Sequence, residues 1–347
     1  MKQVILSCFF FIFLLQSACE DEKVQVDYSG IYCLNLQNIE MLIAQKGNEV
    51  TFTVQNDLLV NGVGTAGIDT LLLNAETLSS ERFTAKVVFS DDLKSFSGPY
   101  SITDETDQVL TSGILMGLRG ECSTYDIGLL GVPDFIESDF TQLDKIEKIS
   151  KFRSGFGHSY TDGTELCRSM KHYFMPFIDF LDNNTVAIYS PCNGTITSVS
   201  NDGHGASTGL TNKVIQIRPD DQPAFICEIF HCDLVSEAIK TGKEVQAGEL
   251  LGHARLYYDD LNEYANSFDI ALWVQTPSGM RLISYFEAIT DDLFELYISR
   301  GAYTREDFII SKEARDADPN QCDGERFLTS GTLENWVVLN PTAKYTD

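Results

Sequence analysis

"NKVIQIRPDDQPAFICEIFHCDL", residues 212–234, is the stretch on which the fold turns. Its two ends, "NKVIQIRP" and "FICEIFH", are rich in β-branched and aromatic residues and read as strands parted by a polar, proline-bearing turn. Downstream, "GKEVQAGELLGHA" (242–254) reads as two short strands around an Ala-Gly turn, and "SFDIALWV" (267–274) as another strand. The region from Ser154 to about Ser284 is therefore mostly β.

Working outward, residues 26–126 are also β-rich. "EVTFTVQ", "TLLLNA", "RFTAKVVFS" and "VLTSGILMGLRG" alternate apolar and polar residues, with "KGN", "NGVGTAG", "SDD" and "TDETD" as turns between them. Short strands roughly ten residues apart suggest a small barrel or sandwich. "FTQLDKIEKISKF" (140–152) has apolar residues at helical spacing and predicts a short helix in a linker spanning 127–153. "SYFEAITDDLFELYISRG" (284–301) predicts an amphipathic helix ended by Gly301. "TREDFIISKEARDADP" opens with a Thr-x-x-Asp cap signal and predicts a further short helix in a C-terminal extension, 285–347. The fold class is mainly β.

The chain has 347 residues and a formal net charge of -26. That length suits two domains. Acidity of that degree repels phosphate backbones and anionic membrane surfaces, so nucleic acid is excluded as a partner class. "MKQVILSCFFFIFLLQSAC" has one lysine, a short apolar run and small residues before Cys19, the pattern of a secretory signal over residues 1–19. "QSAC" resembles a bacterial lipoprotein cleavage box, with Cys19 the lipidated residue and "EDE" the tether. On that reading the protein is an outer-membrane or cell-surface lipoprotein, touching membrane only through its anchor; the alternative is a secreted or periplasmic protein. Of nine cysteines, Cys8 and Cys19 belong to this segment, leaving seven in a compartment that permits disulfides. Cys33 and Cys122, near the two ends of the first domain, are the expected pair.

Two resemblances add to this reading. "GIYCLN", "GNEVTFTVQ", "NGVGTAG" and "SFSGPY" resemble the small lipocalin-like domains of bacterial lipoproteins, which implies either a cup for a small apolar ligand or a packed spacer. "NTVAIYSPCNGTITSV" (184–199), the hairpin 212–234, "IKTGKEVQAGELLGHA" and "SFDIALWVQTPSGMRL" resemble, in order and spacing, the lysostaphin-type (LytM-like) zinc endopeptidases, and "SGFG" at Ser154 resembles the start of such domains. This implies a duplicated-hybrid-motif β-sandwich over 154–284. Carrier domains share the 239–254 hairpin, but its tip, "EVQAG", has no lysine.

The resemblance also implies a site. In that family a His and an Asp four residues later bind zinc with the last His of a His-x-His pair, and two further histidines handle protons and the oxyanion. The zinc Asp falls on Asp179, but Met175 stands where its His belongs, with His172 three residues earlier. The proton-handling His falls on His231. The His-x-His pair falls on Asp269 and Ala271. A second constellation, "GHSYTDGTELCRSMKHYFMP", offers His158, Asp162 and His172, with Arg168 and Lys171 nearby. His204, between glycines, reads as a hairpin tip. Two functions follow. One is a non-hydrolytic module binding peptidoglycan, another glycan or an envelope protein, with no cofactor. The other is a metal-dependent hydrolase with a rearranged zinc site built from His158, Asp162, His172 and His231, with Asp179 and Asp269 as further metal candidates and His231 as the catalytic residue.

Overall fold

The computed structural model describes residues 26–34, 39–54, 59–90, 92–120 and 122–342. The signal segment and Cys19 lie outside them. The protein is mainly β. Eight antiparallel strands, from Gly30–Leu34 to Val109–Arg119, each paired with the next, close into a barrel when the first pairs the last. Closure removes free sheet edges. Alternation sets the faces: along Arg82–Phe89, residues Phe83, Ala85, Val87 and Phe89 are buried, and Arg82, Lys86 and Val88 are exposed. A Cys33–Cys122 disulfide ties the first strand to the chain leaving the last.

The second half is built on an eleven-stranded sheet. Across it run Gly194–Asn201, Lys213–Pro219, Phe225–Leu234, Phe268–Thr276, His172–Pro176 and Ile146–Ser150, in that spatial order. The 212–234 stretch forms the expected hairpin, with Ile217 opposite Cys227 and Ile215 opposite Ile229. The two strands around the 242–254 turn do not pair with each other. Glu244–Val245 joins Gly194–Asn201, while Leu250–Ala254 pairs with Ala187–Tyr189 and Phe225–Leu234. One core, including Ile146, Phe174, Ile217, Phe225, Leu272 and Phe286, runs through the sheet and the helices that follow it.

Two predicted helices come out differently. Residues 140–152 form a 3-10 turn, Leu143–Lys145, and then a strand, Ile146–Ser150. Ile146 and Ile149 are fully buried although three apart. The pairing with His172–Pro176 shifts register between Met175 and Pro176, so an odd spacing can face one side. That bulge mimics helical periodicity. The 284–301 helix is split into Tyr285–Ala288 and Asp291–Ser299. Between them Ile289 bridges Ile136, and Thr290 caps the second helix through Leu293 N. Gly301 takes the expected positive φ, +97°, just past its end. The Thr-x-x-Asp signal forms a capping box at Thr304 and Asp307, and a separate helix, Lys312–Ala317, starts after Ser311.

A second disulfide, Cys167–Cys322, fastens the 154–171 loops to a C-terminal hairpin. Cys192, Cys227 and Cys232 remain buried thiols. Among the described residues no helix is long and apolar enough to cross a membrane.

Candidate functional site

A cleft of about 690 Å³ opens where the central strands meet these loops. Phe156, Tyr173, Phe230 and Tyr264 supply its rings; His158, Lys171, Asp202, His204, His231 and Glu325 supply its polar groups. Three of the chain's five histidines thus share one wall system.

His231 reaches the cleft through a bulge. Lys213 pairs with Cys232 and Ile215 with Ile229, so three steps on one strand face two on the other. His231 adopts φ +55°, a left-handed conformation that non-glycine residues rarely hold. The turn brings its ring between two carboxylates. Nε2 lies 3.2 Å from Asp269 Oδ1, and Nδ1 lies 3.1 Å from Asp202 Oδ2 and 2.8 Å from Tyr258 Oη. The Tyr258 hydroxyl also reaches Asn212 Oδ1 at 3.4 Å. Burial disfavours the charged ring, but the bond to Asp269 and the charges of Asp269 and Asp202 outweigh it, and the pKa of His231 rises above that of an ordinary histidine.

Beneath His231, Lys171 Nζ sits 2.5 Å from Asp269 Oδ2. Both side chains are almost completely buried, at 2% and 0% exposure. Rings of Phe230, Tyr160 and Tyr173 surround the ammonium at 4.1, 4.7 and 5.1 Å from their centroids, a cation–π cage. Burial would lower the Lys171 pKa, but Asp269 more than compensates and it ends above the usual lysine value. Burial likewise pushes Asp269 up, and Lys171 and His231 pull it down further, to about 2. Lys171, Asp269 and His231 thus form a chain of ionisable groups, with Asp202 as its outer end.

The sequence candidates do not converge on one coordination sphere. His158 lines the cleft, its Nδ1 3.2 Å from Ser159 O and 3.6 Å from Glu325. Burial and then Lys171 lower its pKa. His172 is a correction. Strand alternation sends Lys171 and Tyr173 to the cleft and His172 to the opposite face. There its Nδ1 meets Ser150 O and its Nε2 meets Ser284 Oγ, both at 2.8 Å, and burial lowers its pKa to about 4. Asp162 is a second correction: its carboxylate accepts from Thr164 and from Leu282 N, as a turn brace away from the cleft. Asp179 is a third, exposed on the short Ile178–Phe180 turn. His204, read as a hairpin tip, lines the cleft and packs its ring 4.7 Å from Tyr258.

Tyr173 lies opposite Asp269, and Met175, where the resemblance puts a zinc histidine, supplies no zinc donor of that kind. Among the described residues no group of three or more His, Cys, Asp and Glu is arranged to hold a metal. The groups present do not fit zinc: Lys171 holds Asp269, and both nitrogens of His231 face oxygen partners. Sequence reasoning missed Asp202 and Tyr258 altogether. Their one local signal is the Asp-Gly turn at Asp202.

No protein-family model matches the chain, and no curated protein does. Among solved structures, Csd3 of Helicobacter pylori is similar in two crystal forms. The orthorhombic form shows 12% identity over 76% of this chain and 56% of that one; the hexagonal form shows 9% over 76% and 79%. Both have a TM-score of 0.29. The chain thus spans little more than half of the first. So loose an overlap defines neither family nor site.

Proposed function

We propose that this chain is an exported cell-envelope protein whose second half is a LytM-like module that binds a ligand without hydrolysing it. One observation carries the reading: Lys171 seated on Asp269. In the sequence resemblance Asp269 opens the His-x-His position. The zinc-binding member of that pair falls on Ala271, which has no donor, and the ammonium neutralises the one carboxylate left beside it. His231, flanked by two carboxylates, has its protonated form favoured, and both its ring nitrogens face oxygen partners.

What remains is a recognition surface. The rings of Phe156 and Tyr264 offer stacking faces, and His158, His204 and Glu325 offer hydrogen-bonding edges, a combination that suits the faces and hydroxyls of a sugar. The ligand is peptidoglycan or another glycan, or else an envelope protein. The signal segment and Cys19 support export and a lipid anchor.

Purified protein without its signal should co-sediment with isolated peptidoglycan sacculi and release no soluble fragments. Tyr264→Ala with Glu325→Gln should weaken sedimentation several-fold. The alternative is a metal-dependent endopeptidase, for which no group of ligands is assembled among the described residues. Stoichiometric zinc that disappears in His231→Ala, together with released fragments, would establish it and overturn the first. Failure to bind sacculi would redirect the proposal to a protein ligand.

A further inference from the structure

The two disulfides sit in unlike surroundings. Cys33 and Cys122 are buried, at 7% and 9% exposure. Cys167 and Cys322 are only half-buried. Exchange requires a thiolate to reach a disulfide sulfur, so the second bond is the accessible one.

That bond holds a hairpin with little else to hold it. Gln321–Asp323 pairs with Arg326–Thr329 around a turn at Gly324, which has φ +60°. Along the two strands only Cys322 and Phe327 are half-buried, and the other residues are exposed. A two-stranded hairpin without a core is marginal in water. Its base is fixed separately. Asn320 Nδ2 donates to Cys167 O at 3.0 Å, Arg315 donates to Asn320 Oδ1 at 2.9 Å, and Ser330 Oγ donates to Gly155 O at 2.9 Å. These bonds do not need the disulfide, so its loss frees the tip between residues 320 and 330 and leaves the base in place.

The tip is a wall of the cleft. Ser159 N donates to Glu325 O at 2.7 Å, and Arg326 bridges His158 in antiparallel register. His158 and Glu325 both line the cleft. Their side chains approach to 3.6 Å but are 42% and 82% exposed, so this pair adds little. The tip therefore rests on the disulfide and on its contacts with residues 158–159.

We propose that Cys167–Cys322 is a thiol–disulfide exchange site that controls the cleft. Oxidised, the bond clasps the hairpin tip against His158 and completes the ligand-binding wall. Reduced by a dithiol, it releases the tip, and the ligand with it. A thiolate of the dithiol attacks one sulfur of the bond, and the other sulfur leaves as a thiolate and takes a proton. The second thiol of the dithiol then displaces the first cysteine in the same way. Two protein thiols result, and the dithiol ends as its own disulfide. The control of binding rests on the cleft being the ligand site proposed above; the exchange site itself does not.

The test uses the chain without its signal segment, treated with dithiothreitol at neutral pH in the absence of denaturant, then alkylated and mapped by mass spectrometry. Cys167 and Cys322 should become alkylated about tenfold or more faster than Cys33 and Cys122. Amide hydrogen exchange should rise about tenfold or more at residues 158–159 and 321–329, and stay unchanged along Lys213–Pro219 and Phe225–Leu234. Sedimentation with peptidoglycan sacculi should fall several-fold, and should recover when oxidised glutathione re-forms the bond. Cys167→Ser with Cys322→Ser should match the reduced protein, with circular dichroism reporting its fold; the reversible reduction of the parent protein decides the matter if that variant does not fold. Equal reduction of the two disulfides, or unchanged exchange at 158–159 after selective reduction, would overturn the site. Equal sedimentation of the oxidised and reduced forms would overturn the control of binding. Sedimentation of neither form would overturn the glycan reading and the control of binding together, while alkylation and hydrogen exchange still decide the exchange site.

Discussion

Inside the barrel, Tyr28, Tyr32, Phe89 and Phe96 pack as tilted and edge-on rings, and among the described residues the nearest cation is Arg119, 5.7 Å from the Tyr32 ring centroid. Beneath the cleft, Lys171 and Asp269 are just as deeply buried and form an ion pair, with His231 beside them. The barrel core is held by burial of apolar area, which tolerates changes of about equal volume. The cleft floor is held by mutual neutralisation, in which each charge is acceptable only while its neighbours remain. The two regions therefore fail differently. The barrel weakens gradually, and the cleft floor fails when one member is lost.

The largest expected effect breaks the cleft floor. Asp269→Asn leaves Lys171 and His231 as buried cations without their shared carboxylate, and should cost about 3–5 kcal/mol in urea unfolding. A loss below about 1 kcal/mol would mean that water reaches these groups and that the contrast with the barrel is false. Next, Cys33→Ser with Cys122→Ser should cost the barrel about 2–4 kcal/mol, because the bond closes a long loop of sequence separation 89. Protease mapping should then show cuts in residues 26–126 before the cleft half.

A pH series separates the two buried histidines. His172 has a folded pKa of about 4 against 6.5 for an unperturbed histidine, so the unfolded chain binds more protons between those values. Stability from this group is therefore complete above about pH 6.5 and falls by about 2 kcal/mol by pH 5. His172→Gln should remove that part of the acid loss, read as the difference from the parent protein. His231 has the opposite sign. Its raised pKa gives a contribution that is complete below the unfolded value and lost as pH rises through the folded one. Asp269, at about 2, adds a loss only below about pH 4. An unchanged acid limb in His172→Gln would show that His172 is not neutral in the fold.

The smallest effect is the most informative. Lys171→Met with Asp269→Leu replaces the pair with apolar groups, and should lie within about 1 kcal/mol of the parent once His231→Gln relieves the remaining charge. A large residual loss would mean that the chain of charges shapes the strand register as well as neutralising itself.

Alternation along "RFTAKVVFS" and "EVTFTVQ" made the barrel strands legible, because each residue's side of the sheet is a local property of spacing. The Thr-x-x-Asp cap signal at Thr304 marked the start of a helical turn for the same local reason. Where the pattern misled, at Ile146 and Ile149, a bulge at Glu147 in their own strand gave two inward residues an odd spacing that only pairing with the neighbouring strand reveals. The sequence by itself thus determined a mainly β chain, its strands and turns, and His231 as the residue to examine. Only the tertiary structure decided what surrounds it. Asp202, Tyr258 and Asp269 arrive from three separate segments, and the register of His172–Pro176 against Phe268–Thr276 puts Lys171, rather than His172, on the cleft side. Which side a residue faces reverses with a one-residue shift, and that shift is set by pairing between distant strands.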